Sequence, residues 1–291
     1  MSVQQRLLAP PLLYALAAVL LYARGSRRHL RITASAGRLR AHRRRTWAFY
    51  AALVTIVGAL DSPIDDLAAK LFWVHMVQHV LLMMVAAPLL VLAAPWTPLW
   101  RGMSLSLRRR LASAYMRSPT WRALGAAGRR VAAPGSAWVL FNVDLCAWHV
   151  PALYGLTLRN QLVHELEHVS FLVLGVVFWA QVIESPPLRA RLDLFRRVAY
   201  VTLAATVAWL LAVVLALAGS PLYPAYTALP SRPGGLSALA DQQLAAGIMW
   251  GPGSIPYALF VFVALYRWLE PGGSAEAART RVDGRWRPSG T

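Results

Sequence analysis

The sequence predicts an all-α membrane protein, a bundle of seven transmembrane helices, from its composition, its apolar stretches and the placement of its charges. Of 291 residues, 57% are hydrophobic and 14% are charged, whereas soluble domains are about 45–50% apolar and about 25% charged. The mean hydropathy is +0.46. These values disfavour a soluble enzyme and exclude a disordered chain, and they are typical of a surface that faces lipid.

Seven apolar stretches are each predicted to form a membrane-spanning helix. A span needs ~20 apolar residues to cross ~30 Å of hydrocarbon, so the short second stretch depends on the charge pattern for support. We expect one membrane domain over residues 1–270 and a short, Arg-rich cytoplasmic tail over residues 271–291. The predicted spans are 7–23, 46–60, 71–95, 136–151, 162–183, 198–219 and 247–269.

The basic residues support all seven spans and give the predicted orientation. Of the 30 basic residues, 26 fall in alternate connecting segments and after the last span, and four fall on the other side. In membrane proteins the cytoplasmic segments carry the excess of Lys and Arg. The N-terminus is therefore expected outside the cell and the C-terminus in the cytoplasm.

The long basic segment 96–135 is expected to be a solvated loop that fixes the topology. Its stretch SLSLRRRLASAYMR could also form a basic amphipathic helix that contacts lipid head groups. The arginine clusters lack the interleaved aromatic residues that stack on bases, so the net charge of +18 does not indicate nucleic-acid binding. The sequence also lacks a phosphate-binding glycine loop, a nucleophile elbow and a CxxC motif, and no enzymatic activity is expected.

Five of the seven histidines are predicted to lie at one depth, near the outer face. Span three runs inward, span four outward and span five inward, so their histidines all fall at outer ends. By contrast, His29 and His42 lie in the first Arg-rich segment and are expected to be solvated. The five predicted to cluster are His75, His79, His149, His164 and His168.

The spacing of these histidines indicates a metal site. HMVQH and HELEH each place two histidines four residues apart, on one helix face and ~6 Å apart along the axis. Two such pairs with His149 between them could supply three to five imidazoles to one or two ions of Cu, Zn, Fe or Ni. Glu165 or Glu167 is a candidate to orient one imidazole. A structural polar network and a proton or ligand path remain the alternatives.

Four further residues are candidate helpers of this site: Cys146, Met76, Asp61 and Asp241. The cysteine shares a helix face with His149, and thiolate or thioether ligands select Cu(I), although a small buried residue is its simpler interpretation. The methionine, like Met83 and Met249, is interpreted first as a core filler. The two aspartates lie at the outer ends of spans two and seven and fit a role around the ligands or a plain interface role equally.

Three segments of the sequence resemble a known family in the right order. LFWVHMVQHVLLMMVAAPLLVLAAP resembles the third span of the bacterial multi-span cytochrome c oxidase assembly factors, the CtaG type. CAWHVPALYGLTL followed by LVHELEHVSFLVLGVVFW resembles that family's next two spans, and DQQLAAGIMWGPGSIP its last. The resemblance covers roughly residues 47–269. One departure is Ala93-Ala94 before Pro95, where a glycine is usual in the family.

The resemblance implies a non-catalytic, multi-pass protein of the bacterial plasma membrane that acts in the maturation of haem–copper terminal oxidases. It implies copper as the cargo, held as Cu(I), with the oxidase subunits and membrane lipid as partners. On the matching motifs, the candidate metal ligands are His75, His79, His149, His164 and His168.

Two other functions remain open from the sequence. A redox protein with haem held by two histidines is possible, because histidines on facing helices can ligate haem. A metal transporter is disfavoured, because such a protein needs polar residues through the full depth of the membrane. The inner halves of spans three and five, LLMMVAAPLLVLAA and FLVLGVVF, are almost purely apolar.

Overall fold

The protein, seen in a computed structural model, has helices as its regular structure in the residues that the structure describes, which are 10–30, 36–188, 190–229 and 232–270. Those residues contain no β-strand, only an isolated bridge between Ser185 and Leu188. The predicted all-α class is therefore confirmed for them. The tail predicted over residues 271–291 lies outside the described residues.

The helices are numbered here in chain order. A π-helical segment, Leu81–Ala86, lies within α4, and a 3₁₀ turn, Pro233–Gly235, precedes the last helix. The helices are α1 (Pro10–Leu30), α2 (Ala36–Leu60), α3 (Pro63–Ala68), α4 (Phe72–Ala93), α5 (Trp96–Gly102), α6 (Leu105–Arg117), α7 (Pro119–Val131), α8 (Pro134–Trp148), α9 (Pro151–Thr157), α10 (Gln161–Trp179), α11 (Leu194–Leu217), α12 (Pro224–Thr227) and α13 (Ala238–Leu269).

Four of the described helices are long and apolar enough to cross a membrane, which fits a multi-pass membrane protein. They are α4, α10, α11 and α13, and the bent pair of α8 and α9 makes a fifth if it is counted as one span. The first two predicted stretches lie mostly within α1 and α2, where arginines at one end lower the hydropathy. The count of seven spans stays a prediction.

Two segments that were expected to be loops are largely helical. The first Arg-rich segment continues α1 and begins α2, so His42 is not in a solvated loop; its Nε2 lies 3.4 Å from Thr46 Oγ1. The side chain of His29 lies outside the described residues. The segment 96–135 is not the expected loop, because α5, α6 and α7 fill it, with Ser104 and Ser118 capping α6 and α7 through their side chains. α6 covers the stretch for which a helix was the alternative, and neither α6 nor α7 contains a buried residue.

Helix α4 lies at the centre of the bundle, where α2, α10 and α13 all pack against it. α8 packs on α10, α11 packs on α13, and α5 folds back against α1. The last contact depends on Gly25 and Gly102, since a Cβ atom at either position would overlap the backbone of the opposite helix. This arrangement buries α4 more fully than the other candidate spans.

Three local features set the course of α4. Its first backbone N–H groups, those of Phe72 and Trp73, donate to the carboxylate of Asp241 from α13, both at 3.0 Å. Pro88 lacks an N–H and follows the π segment, and the Met83 carbonyl accepts a hydrogen bond from Trp179 Nε1 at 3.0 Å. Ala94 ends the helix at φ 46°, a left-handed conformation that favours glycine.

The chain bends by 79° between α8 and α9, at His149 and Val150. The bend follows from Pro151, because a proline disfavours helical geometry in the residue before it. Val150 accordingly adopts an extended conformation, with φ −69° and ψ 124°. His149 is thereby left at the end of α8, facing the bundle, and it is 6% exposed.

Candidate metal centre

Two helices, α4 and α10, bring four potential metal ligands together. His75 and His79 lie one turn apart on α4, and Glu167 and His168 are adjacent on α10; all four are buried. One ligand atom from each lies within 4.8 Å of the other three. We call these four residues the His/Glu centre. They include both histidines of the first predicted pair and one histidine of the second, His168.

The carboxylate of Glu167 lies between the two histidines of α4. Its Oε2 is 3.4 Å from His75 Nε2, and its Oε1 is 3.5 Å from His79 Nε2. The rings of His75 and His79 meet edge to face with centroids 4.5 Å apart, and each ring centroid is less than 6 Å from that of His168. One carboxylate therefore faces two imidazoles inside a site that excludes water.

The polar atoms of the His/Glu centre lack hydrogen-bond partners although they are buried. Both ring nitrogens of His75 and of His79, both carboxylate oxygens of Glu167 and Nε2 of His168 have none. Nε2 of the neighbouring His164 is in the same condition. Most buried polar atoms in proteins are paired, because an unpaired one costs about 1–3 kcal/mol. A group of unpaired polar side chains around one point is typical of a site for a ligand such as a cation.

The donor set fits a transition-metal ion. Three imidazoles and one carboxylate make four ligands, and imidazole suits copper, zinc, iron and nickel. Bonds of ~2.0–2.1 Å around a tetrahedral ion would separate the ligand atoms by ~3.3 Å. The observed limit of 4.8 Å is larger by an amount that small side-chain rotations can close. His75, His79, Glu167 and His168 are therefore the residues that would hold the ion.

The other two predicted histidines border the His/Glu centre. The ring centroid of His164 is 5.2 Å from that of His75 and 4.3 Å from that of His168. The ring of His149 is 6.2 Å from that of His79, and its Nδ1 is 2.7 Å from the Leu145 carbonyl oxygen. The structure thus places all five predicted histidines in one chain of neighbouring rings, with three of them in the four-residue group.

The four predicted helpers lie in different surroundings. Cys146 is exposed, so its side chain faces away from the buried centre and is not the buried residue expected. Met76 is fully buried, with Sδ 3.3 Å from His149 Nε2. Asp61 is half-buried just after α2 and does not belong to the four-residue group. Asp241 is buried, and its carboxylate already accepts the two N–H groups that begin α4.

Glu167 is the residue whose role the sequence interpretation underestimated, since it was considered only as a group that orients an imidazole. Its position on the helix distinguishes it from Glu165. His164, Glu167 and His168 are related by steps of three and four residues and share one face, whereas Glu165 points away and is exposed. Asn160 fixes this register by capping α10, with Oδ1 accepting from Leu162 N at 2.9 Å.

Aromatic side chains cover the His/Glu centre on the side of the 220–237 connection. Tyr154 of α9 lies against His75 with ring centroids 5.2 Å apart, and its hydroxyl pairs with that of Tyr226 at 2.8 Å. Tyr226 also donates to the Ala68 carbonyl, and Tyr223 donates to the His149 carbonyl. Burial raises the pKa of Tyr223 and of Tyr226, so both hydroxyls remain neutral donors.

Comparison with known proteins places this architecture in a family. The family described as cytochrome c oxidase caa3 assembly factor matches residues 10–270, a range that includes every residue of the His/Glu centre. Two curated relatives are uncharacterized proteins, one from Mycobacterium bovis and one from Mycobacterium tuberculosis, each 25% identical over 227 residues. The match covers 76% of this chain and 33% of either relative, so the chain spans about a third of their length. No solved structure matches the chain.

Proposed function

The chain belongs to the cytochrome c oxidase caa3 assembly factor family, and on that premise we propose that it binds Cu(I) at the His/Glu centre and supplies it to a haem–copper oxidase. The observation that carries the copper-binding step is the set of unpaired, buried ligand atoms of His75, His79, Glu167 and His168 within 4.8 Å of one another. The two Glu167 oxygens lie 3.4 and 3.5 Å from Nε2 of His75 and of His79, which is longer than a well-formed hydrogen bond.

The proposed role is delivery without catalysis. Histidine ligands are neutral and exchangeable, so an ion can move by replacing one imidazole at a time with a ligand of the recipient subunit. Glu167 can supply one negative charge to a bound cation beside the two imidazoles, which offsets the charge of the cation inside the buried site. The partners proposed are the oxidase subunits that receive copper, and the surrounding membrane lipid.

The proposed topology is seven spans in the bacterial plasma membrane, with the N-terminus outside and the C-terminus in the cytoplasm. The alternating distribution of basic residues supports it. In this orientation the His/Glu centre lies near the outer face, where the copper-binding domains of an oxidase could reach it. Reporter fusions test it: a fusion at residue 120 should report the cytoplasm and one at residue 228 the exterior. The same compartment at both positions would contradict the count.

The delivery proposal is tested by a matched pair of glutamate variants. A deletion strain is complemented with wild type, Glu167→Gln or Glu165→Gln, and the copper content and activity of the purified oxidase are measured at limiting copper. Glu165 is exposed and lies two residues away on the same helix, so its variant should match the wild type. Glu167→Gln should lower oxidase copper at least about fivefold, while immunoblots show unchanged oxidase polypeptides.

Added copper separates delivery from other roles. Excess copper in the medium should partly restore oxidase activity in the deletion strain, because free metal can replace a delivery step by mass action. Full oxidase maturation in the Glu167→Gln strain at limiting copper would refute the copper role and leave a scaffold role. A Soret band in the spectrum of the purified protein would instead support the haem alternative.

A further inference from the structure

A second group of soft ligands adjoins the His/Glu centre. A cavity of about 30 Å³ lies between α4, the end of α8 and α13, and it is large enough for one water molecule or one ion. His79 and His149 both line it. Four of the seven methionines in the chain line it as well, Met76, Met83, Met84 and Met249.

The proton positions on His149 leave two electron pairs facing each other in this cavity. Its Nδ1 is 2.7 Å from the Leu145 carbonyl oxygen, which can only accept, so Nδ1 carries the proton. A neutral imidazole has one N–H, and Nε2 is then a bare acceptor. Nε2 lies 3.3 Å from the sulfur of Met76, and a thioether is also an acceptor without a proton.

A cation between these two atoms would accept one electron pair from His149 Nε2 and one from Met76 Sδ, forming a bond to each. With bonds of ~2.0 Å to nitrogen and ~2.3 Å to sulfur, the 3.3 Å separation corresponds to an angle of ~100° at the ion. This angle is close to the value that three- or four-coordinate ions adopt. Thioether sulfur selects Cu(I) over harder ions such as Zn(II) and Mg(II).

The core-filling interpretation of these methionines accounts for less of the geometry. Methionine fills irregular gaps in hydrophobic cores because it is flexible, but here the gap stays open where methionine side chains meet. One of those side chains directs its sulfur at an imidazole nitrogen, which a core filler would not require. His79 lines this cavity and is also one of the four residues of the His/Glu centre, so it connects the two.

We propose that this cavity is a second Cu(I) site, formed by His149 and Met76 with Met249 and Met83 as further thioether ligands, and linked to the His/Glu centre by His79. This inference rests on the proposed copper function and specifies its oxidation state. Cu(I) moves between the two sites by ligand exchange at His79, with no change in charge, so the step needs no oxidant or reductant. Zn(II) binds at the His/Glu centre and is rejected by the methionine cavity.

Copper titration of the purified full-length protein in nanodiscs tests the second site. Cu(I) is added anaerobically against a chromophoric Cu(I) chelator, and X-ray absorption at the copper edge counts sulfur and nitrogen neighbours. The wild type should bind two Cu(I) per chain and show Cu–S scattering, and it should bind one Zn(II). The single exposed cysteine is changed, Cys146→Ser, in every protein used, so that any sulfur neighbour is a methionine.

A pair of methionine variants provides the decisive comparison. Met76→Leu with Met249→Leu keeps the side-chain volume nearly constant and should lower Cu(I) stoichiometry from two to one, remove Cu–S scattering and leave Zn(II) affinity within about twofold. Met116→Leu, at a position 68% exposed on α6, should behave as the wild type. Unchanged size-exclusion elution and thermal unfolding confirm that the variants fold.

The outcomes separate this inference from the function on which it rests. One Cu(I) per chain with nitrogen and oxygen neighbours only would overturn the second site and leave copper delivery standing. No Cu(I) binding by the wild type would overturn both. Two Cu(I) per chain with Cu–S scattering that persists in the double methionine variant would also overturn the assignment to this cavity.

Discussion

The two ends of the α4–α10 helix pair are equally buried but differ in how their polar atoms are paired. At the histidine end, His75 and His79 face Glu167 and His168, and most of the polar atoms of these side chains lack partners. At the far end, Met83 and Ala87 face Gly175 and aromatic side chains, and Trp179 Nε1 donates to the carbonyl that the π segment frees. Burial alone therefore does not distinguish a binding site from a core.

The far end is built to stabilise the fold. Gly175 lets the two helices approach closely, because a Cβ atom there would lie 3.0 Å from the Cβ of Ala87. Phe178 stacks on Phe141 with ring centroids 4.2 Å apart and is fully buried. At the histidine end, each buried group without a partner costs about 1–3 kcal/mol of stability.

Removing a ring from the far end should have the largest effect on stability. Phe178→Ala should lower the free energy of unfolding by about 3–5 kcal/mol, since the cavity left in a packed core cannot collapse fully. Equilibrium unfolding in mixed detergent micelles measures it. Phe262→Ala, at a position 67% exposed on α13, should change stability by about 0.5 kcal/mol. Similar losses in both variants would mean that the far end is not the stabilising core.

Removing two ligands from the histidine end should mainly affect metal binding. His75→Ala with His79→Ala should weaken Cu(I) binding at least about 100-fold, equivalent to about 2.8 kcal/mol, because two of four ligands are lost. A chelator competition assay measures the dissociation constant. His42→Ala, a change in α2 beside Thr46, should leave it unchanged. Equal affinity in the double variant and the wild type would remove the His/Glu centre from the copper function.

Replacing the buried carboxylate should raise stability and lower affinity together. Glu167→Leu removes two unpaired oxygens, and the metal-free protein should gain about 1–3 kcal/mol in its free energy of unfolding. The same variant should lose protection from unfolding by added Cu(I). Glu165→Leu, at an exposed position, is the control for the added apolar side chain. A destabilised metal-free Glu167→Leu protein would show that the carboxylate is structurally paired.

Removing the cap of α4 should have the smallest effect. Asp241→Ala leaves the N–H groups of Phe72 and Trp73 without their acceptor, and should lower the free energy of unfolding by about 0.5–2 kcal/mol. Because α4 carries His75 and His79, Cu(I) affinity should fall as well, by less than in the double histidine variant. Asp241→Asn keeps one acceptor oxygen and should be intermediate in both measurements. Full affinity in Asp241→Ala would show that the cap does not position the site.

The sequence predicts a helix best where its own apolar pattern is continuous. The predicted span 71–95 coincides closely with α4, Phe72–Ala93, because no charge interrupts it. The prediction fails at α13, which begins at Ala238 instead of 247. Asp241 and Gln242 lower the local hydropathy, yet both are buried and bond to backbone elsewhere in the fold. Asp241 accepts from the start of α4, and Gln242 accepts from Leu222 N in the segment after α11 and donates to Leu215 O in α11. Contacts between residues so far apart in the sequence cannot be predicted from the apolar pattern of one segment.

The histidines of the site were predictable, and the carboxylate and the thioethers were not fully so. Two pairs at a spacing of four and a shared end of three helices brought His75, His79 and His168 together as expected. Helix periodicity also distinguishes Glu167 from Glu165. The approach of Met76 to His149 depends on the 79° bend after α8, a tertiary feature that residue spacing does not contain.

The cap from Asp241 to Phe72 joins residues 169 positions apart in the chain. During synthesis, α4 and α10 leave the ribosome long before α13, so an unfinished chain has both histidine pairs but no acceptor for the first N–H groups of α4. The start of α4 is then capped only when α13 docks. Any metal loading of this site would in this way wait for α13, and chains that stop before it would lack the cap.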